Sequence, residues 1–241
     1  MDLQDLRKLY IIERLGIKLE DFGRAISFVD FGNVNHWFEE DRQDHLGNAL
    51  ADDQKLSVDL AKLKQFTDLI SGDTRFYYGH DGQSQGSLDF IRVARDLFGK
   101  HRVITKQVQK VRHHLSNAEL TLNTRQTSTD GDGIFIRIPK CNFDVEIAID
   151  AVRLMDKFDT VCLFSGDADF VPLIHYLKQK GKRIILIKGG HIVRQLKEAS
   201  NMVISAQNIK EYIADIKQKP GVQPGLADRT PVSTGRTTRR S

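Results

Sequence analysis

Short, largely apolar runs alternate with longer amphipathic stretches through most of this chain, and that alternation restricts the fold more than any other feature. AISFVDF (25–31), TRFYYG (74–79), TVCLFSG (160–166), KRIILIKGG (182–190) and MVIS (202–205) are bounded by turn-forming or polar residues and read as buried strands. HRVITKQVQKV (101–111) reads as a further strand that alternates apolar and polar residues toward its C-terminal end. Between these runs the period changes. Leu56, Leu60, Leu63, Leu69 and Ile70 predict a helix over 55–70, and 87–98 and DVEIAIDAVRLMDKF (144–158) predict two more. A helix is expected over 168–181, with Pro172 in its first turn and Gly181 at its C-cap, and others over 191–199 and 208–216. Apolar strands joined by helices form a mainly parallel sheet covered on both faces, so the expected class is α/β, a three-layer sandwich.

Around that core the chain divides into three parts. Residues 2–14 form a short amphipathic helix in an N-terminal extension (1–24), the domain runs over 25–216, and 217–241 is a tail rich in Pro, Gly, Ser, Thr and Arg that is expected to be disordered. The formal net charge of +4 is a property of that tail, where Lys217, Lys219, Arg229, Arg236, Arg239 and Arg240 face Asp228 alone. The body is close to neutral. No apolar stretch is long enough to cross a bilayer, and the charged N-terminus has no leader-like apolar segment. Cys141 and Cys162 have no CxxC partner, so a thiolate metal site is excluded and reduced thiols in a cytoplasmic protein are expected. Residues 112–133 are polar and contain the turn Asp130-Gly131-Asp132-Gly133, flanked by Leu120–Thr124 and Ile134–Ile138 as the arms of a hairpin.

Right-handed crossovers put the C-terminal ends of all parallel strands on one rim, where ligands of such sheets bind. Asp30 ends the first strand and is followed by Phe31-Gly32-Asn33-Val34-Asn35. Ser165-Gly166-Asp167-Ala168-Asp169 follows the strand at 160–166, and Asp144 opens the helix before it. Singly, each Asp has an ordinary use: Asp169 and Asp144 as helix caps, Asp30 in a turn. Together they place four carboxylates from three segments at one rim. Gathered carboxylates repel unless a cation lies between them, and all-oxygen sites suit hard divalent ions such as Mg²⁺ or Mn²⁺.

Other chemistries lack their residues. There is no G-x-G-x-x-G, no Walker A loop, no G-x-S-x-G around Ser165 and no H-E-x-x-H. His113 and His114 are adjacent, and His175 reads as structural or surface.

FVDFGNVN, DVEIAIDAV and FSGDADFVPLI, in this order, resemble the NYN domain, and within it the LabA-like group of the PIN-like nuclease superfamily. The resemblance runs over most of residues 25–213, and SGDADF is its most specific piece. It implies a metal-dependent ribonuclease, with Asp30, Asp144, Asp167 and Asp169 as ligands of Mg²⁺ or Mn²⁺. Asn33 orients Asp30 or contacts the scissile phosphate, and Ser165 supports the loop by hydrogen bonding. Asp150 lies about 240° around the helix from Asp144 and is assigned a part supporting the ligands from behind or a structural one; Glu146 is expected to be exposed. The family's basic residue before the helix corresponds to Lys140.

A nuclease must also hold a polyanion, and 97–118 supplies Lys100, Arg102, Lys106, Lys110 and Arg112 without an acidic residue. Lys106, Lys110 and Arg112, with Lys140, are the expected RNA contacts. The ordinary alternative is lysine guarding a strand edge. Trp37 either stacks a base or packs on the N-terminal helix. RNA is the expected partner, no membrane is involved, and the N-terminal helix is a candidate homodimer element. The main alternative is a non-catalytic RNA-binding or protein-interaction module on the same fold. A dehalogenase-type phosphatase needs Asp-x-Asp after the first strand, and this chain has Asp30-Phe31-Gly32.

Overall fold

The computed structural model describes residues 3–116 and 127–219. Its strands, in chain order, are β1 (Ala25–Asp30), β2 (Gln54–Val58), β3 (Asp73–His80), β4 (Val103–Gln107), β5 (Gln109–His114), β6 (Ser128–Asp130), β7 (Gly133–Lys140), β8 (Thr160–Phe164), β9 (Arg183–Lys188), β10 (Met202–Ser205) and β11 (Ala214–Gln218). Its helices are α1 (Leu3–Arg14), α2 (Leu19–Phe22), α3 (Phe31–Val34), α4 (Leu60–Ile70), α5 (Gln85–Phe98), α6 (Asp144–Arg153), α7 (Val171–Gln179), α8 (Arg194–Ala199) and α9 (Ala206–Ile213).

Six strands form one parallel sheet in the order β10-β9-β8-β1-β3-β4. Successive residues of a strand point to opposite faces, and this divides the core in two. Val29, Phe76, Cys162, Phe164, Ile185 and Ile187 pack under α1, α4, α5 and α9. Phe28, Tyr77, Leu163, Ile184 and Leu186 pack under α6, α7 and α8. The expected three-layer sandwich is the fold. The chain leaves β1 for β3 and β4 on one side, and later runs from β8 to β9 and β10 on the other. The point where the winding reverses therefore lies between β1 and β8, which stay paired to Val29 and Phe164 while the helices that follow them cover opposite faces, leaving a crevice outside the strand ends.

Several boundaries differ from the sequence reading. The helix expected over 55–70 begins only at Leu60; Gln54–Val58 is instead a strand antiparallel to β11. Asp59 divides the two, its carboxylate accepting from the Lys62 amide as an N-cap. The strand expected over 101–111 breaks at Val108. β4 stays in the parallel sheet, while β5 leaves it for a three-stranded antiparallel sheet, β5-β7-β6. The Asp130–Gly133 turn closes β6 on β7, with Gly133 at φ +124°, a conformation open to glycine. Ile134–Ile138 lies in β7, between β5 and β6; Leu120–Thr124 falls outside the described residues, as does the tail beyond Lys219. The closing helix ends at Ile213 and the chain continues as β11. α1 is bound to the body: Ile11 and Ile12 are buried in the core, and Arg14 donates to Glu211 and Tyr212 of α9.

Candidate metal centre at the sheet's switch point

Asp30 is the last residue of β1 and continues the face of Phe28. Ser165, Gly166 and Asp167 follow β8 directly. Two hydrogen bonds tie the two strand ends together, and a third braces the turn after β8. The buried Ser165 hydroxyl donates to Asp30 Oδ2 at 3.3 Å and accepts from the Asp167 amide at 3.3 Å. The Gly166 amide donates to Asn33 Oδ1 at 3.2 Å. That same oxygen accepts from Trp37 Nε1 at 2.9 Å, one helical turn further on.

Asp144, Asp167 and Asp169 each bring a carboxylate oxygen within 4.8 Å of the others. Asp30 is not one of this trio but stands behind it, joined through Ser165. Neither Asp144 nor Asp169 caps a helix through its side chain. The N-cap of α6 is Phe143, and Asp144 instead takes a hydrogen bond from Asn142 Nδ2 at 2.6 Å and returns its own amide to Asn142 Oδ1 at 2.7 Å. Asp167 does cap, accepting from the Asp169 amide at 3.0 Å across the 3₁₀ turn Ala168–Phe170.

The electrostatics follow from burial and like charge. Burial pushes the Asp30 carboxyl up to about 6; the Asn33 backbone amide and the Ser165 hydroxyl work against this, and the charges of Asp144 and Asp167 add to it. Asp144 is also raised, first by burial and then by Asp167 and Asp169, with Asn142 and Lys106 opposing. Lys106 gives little relief because its ammonium is engaged with Glu146 Oε1 at 2.8 Å and lies 4.9 Å from the Phe143 ring centroid. The group of carboxylates is short of positive charge. An oxygen trio of this span suits the shell of a hard divalent cation, and neutralising it would remove the like-charge repulsion that adds to burial in raising Asp30 and Asp144.

The remaining residues fall in different places. Asp150 accepts from the buried Tyr77 hydroxyl at 2.8 Å, beneath the centre. Glu146, expected to be exposed, is half-buried against Lys106, and its Oε2 is buried without a hydrogen-bond partner. Lys110 and Arg112 project from β5, paired with Asp81 at 3.2 Å and Asp130 at 3.1 Å, and Lys140 is exposed at the end of β7. Trp37 is buried rather than presented to solvent, and the ring contacts it makes are with the β8 and β9 ends. Its ring lies 6.3 Å from that of Phe164 in a stacked arrangement, and against Gly189, where a Cβ would come within 2.6 Å of it. The Asn33–Trp37 spacing of one helical turn was the available signal for this link.

A fully parallel α/β sandwich with carboxylates collected at its switch point has the architecture of the PIN-like class. The sequence profile of the NYN domain matches residues 4–210, and the chain belongs to that family. It is 35% identical over 75 residues to the low amplitude and bright protein LabA of Synechococcus elongatus, a match covering 31% of this chain and 40% of LabA. It is 31% identical over 85 residues to an uncharacterized protein of Methanocaldococcus jannaschii, covering 34% of this chain and 32% of that one. The chain thus matches less than half the length of either relative. A protein of unknown function from Vibrio parahaemolyticus shares the fold with a TM-score of 0.50 at 18% identity, over 76% of this chain and 93% of that one. The resemblance to LabA-like NYN proteins read from FVDFGNVN and FSGDADF is borne out. Among the described residues no helix is long and apolar enough to cross a membrane.

Proposed function

We propose that this chain is a ribonuclease that hydrolyses RNA phosphodiester bonds endonucleolytically, with Mg²⁺ or Mn²⁺ on Asp30, Asp144, Asp167 and Asp169. The observation that carries this reading is the trio of carboxylates within 4.8 Å of one another at the switch point, with the raised Asp30 behind it. A module that only bound RNA would have no use for uncompensated negative charge where phosphate must approach. When bound, the cation would supply an activated water and charge neutralisation at the phosphate. The chain's own groups hold that arrangement. Ser165 orients Asp30 and fixes the Asp167 amide, Asn142 fixes Asp144, and the Trp37–Asn33–Gly166 link keeps the β1 and β8 ends in register.

RNA binding is assigned to Lys106, Lys110, Arg112 and Lys140. Lys110 is held by a surface ion pair with Asp81, and Arg112 by one with Asp130 and by stacking over the Phe135 ring at 5.2 Å; surface ion pairs are worth about 0–1 kcal/mol and exchange readily for phosphate. Lys106 contributes field rather than contact while Glu146 holds it. We also infer that α1 joins two copies of the chain through the exposed Leu6, Leu9 and Tyr10; light scattering of Leu9→Glu against wild type tests this, and equal masses would refute it.

The test of activity is cleavage of labelled single-stranded and hairpin RNAs in Mn²⁺, Mg²⁺ or EDTA, with wild type beside Asp167→Asn. Metal-dependent products that vanish in the variant are expected. RNA bound but uncut in every metal would support the regulatory module instead.

A further inference from the structure

On the β3 side of Asp30 lies a cleft of about 240 Å³ that the acidic centre does not use. Its two walls are continuous with the two carboxylate segments. One is Phe31 and Gly32, directly after Asp30, and a Cβ on Gly32 would lie 3.3 Å from Asp30 Oδ1. The other is Cys141 and Phe143, directly before Asp144. Tyr78 of β3 lies between them, and the exposed Asn35 stands at the lip. The depth of the cleft depends on Gly79. Cys141 packs against it so closely that a Cβ there would meet the cysteine Sγ at 2.7 Å.

The lining has a consistent chemistry. Phe31, Tyr78 and Phe143 give it apolar, aromatic walls, and none of its residues is a carboxylate. Asn35 offers an amide donor and acceptor side by side, the pair that reads the edge of a base. The volume suits one flat heterocycle and excludes a duplex. Single-stranded RNA is read by unstacked bases placed in apolar pockets and hydrogen-bonded on their edges. A phosphate at the carboxylate trio would leave the neighbouring base next to this opening.

Building on the ribonuclease reading, we propose that the cleft receives the base of the nucleotide flanking the scissile phosphate and selects which RNA sequences are cut. Asn35 is the reading group and Cys141 marks the pocket wall.

Cys141 also gives a direct test, because Cys162, the other cysteine, is fully buried. Methyl methanethiosulfonate would place a methylthio group on Cys141, releasing methanesulfinate, and narrow the cleft from its wall, and dithiothreitol would remove it. Binding is read by anisotropy of labelled oligo(A), oligo(C), oligo(U) and mixed-sequence octamers in Ca²⁺, with Mn²⁺ affinity measured in parallel. Wild type is expected to prefer one base by about tenfold, the discrimination typical of a well-made amide–base contact. Methylthiolation is expected to abolish the preference reversibly, and Asn35→Ala to abolish it without reagent, while Mn²⁺ affinity is unchanged. A wild type that binds and cuts RNA with no base preference would overturn the cleft's role. So would a preference that survives both Asn35→Ala and stoichiometric modification confirmed by mass. Failure of wild type to bind or cut any RNA in any metal would instead overturn the ribonuclease reading itself.

Discussion

Replacing Asp30 by Asn should abolish cleavage and make the metal-free protein more stable. In the folded chain the Asp30 carboxyl titrates at about 6, against an ordinary value of 3.8. The folded state therefore keeps the proton to higher pH than the unfolded state does. The stability associated with the protonated form is whole below about pH 4, and it is lost as pH rises through about 6. Above that the full penalty applies. The interval from 3.8 to about 6, at about 1.36 kcal/mol per pH unit, gives about 3 kcal/mol as the ceiling. Asn carries no charge and keeps an oxygen for the Ser165 hydroxyl, so about 2–3 kcal/mol should be recovered at pH 7.5. For a chain of this size that is a rise in Tm of roughly 4–12 °C. Calorimetry in EDTA at pH 7.5 and pH 4 measures it. The gap should close at the acid end, and Mn²⁺ should narrow it at pH 7.5 by stabilising wild type more than the variant. An Asp30→Asn variant less stable than wild type at pH 7.5, or a difference that does not change with pH, would refute the reasoning.

Three further outcomes follow from the same contacts. Trp37→Phe keeps a ring against Phe164 but removes the donor to Asn33; a loss of about 1 kcal/mol in urea unfolding is expected, together with reduced cleavage, because the Asn33 side chain that takes the Gly166 amide loses its brace. Gly189→Ala forces a methyl to within 2.6 Å of the Trp37 ring and should cost about 1–3 kcal/mol, read by the same unfolding curve. Lys106→Met leaves the half-buried Glu146 carboxylate unpaired and should destabilise the fold by about 1 kcal/mol. Adding Glu146→Gln should restore most of that loss, so a double-mutant cycle showing no coupling would refute the pairing.

Legibility from the sequence varied with the range of the interaction. The strands β1, β8 and β9 were readable because burial on both faces leaves an uninterrupted apolar run. β2 was not, since Leu56 and Val58 alternate but Leu56 also fits the helical spacing of Leu60 and Leu63; only Asp59, acting as a cap, separates the two periods. The break at Val108 was hidden for a related reason. The alternation of 101–111 is compatible with either sheet, and the partner of β5 is β7, more than twenty residues later. In the site, Asp30, Asp167 and Asp169 could be placed at one rim from strand ends, and Asp144 from the start of the helix that leads into β8. Their division into a close trio and a fourth group behind it could not, because side-chain reach across the crevice is not written in spacing.

The parallel α/β sandwich, the rim formed by its strand ends and the acidic residues that reach that rim are all contained in the linear chain. They follow from local period, chain direction and the fixed hand of crossovers, which need no knowledge of distant partners. How those residues are held, and what surrounds them, emerged from the three-dimensional packing alone. Ser165 bridging Asp30 to Asp167, Asn33 taking the Gly166 amide, Glu146 engaging Lys106 and the cleft between Phe31 and Phe143 each join segments far apart in the chain or set a close approach between side chains. Such contacts depend on packing geometry, and packing geometry exists only once the sheet has brought the strand ends together.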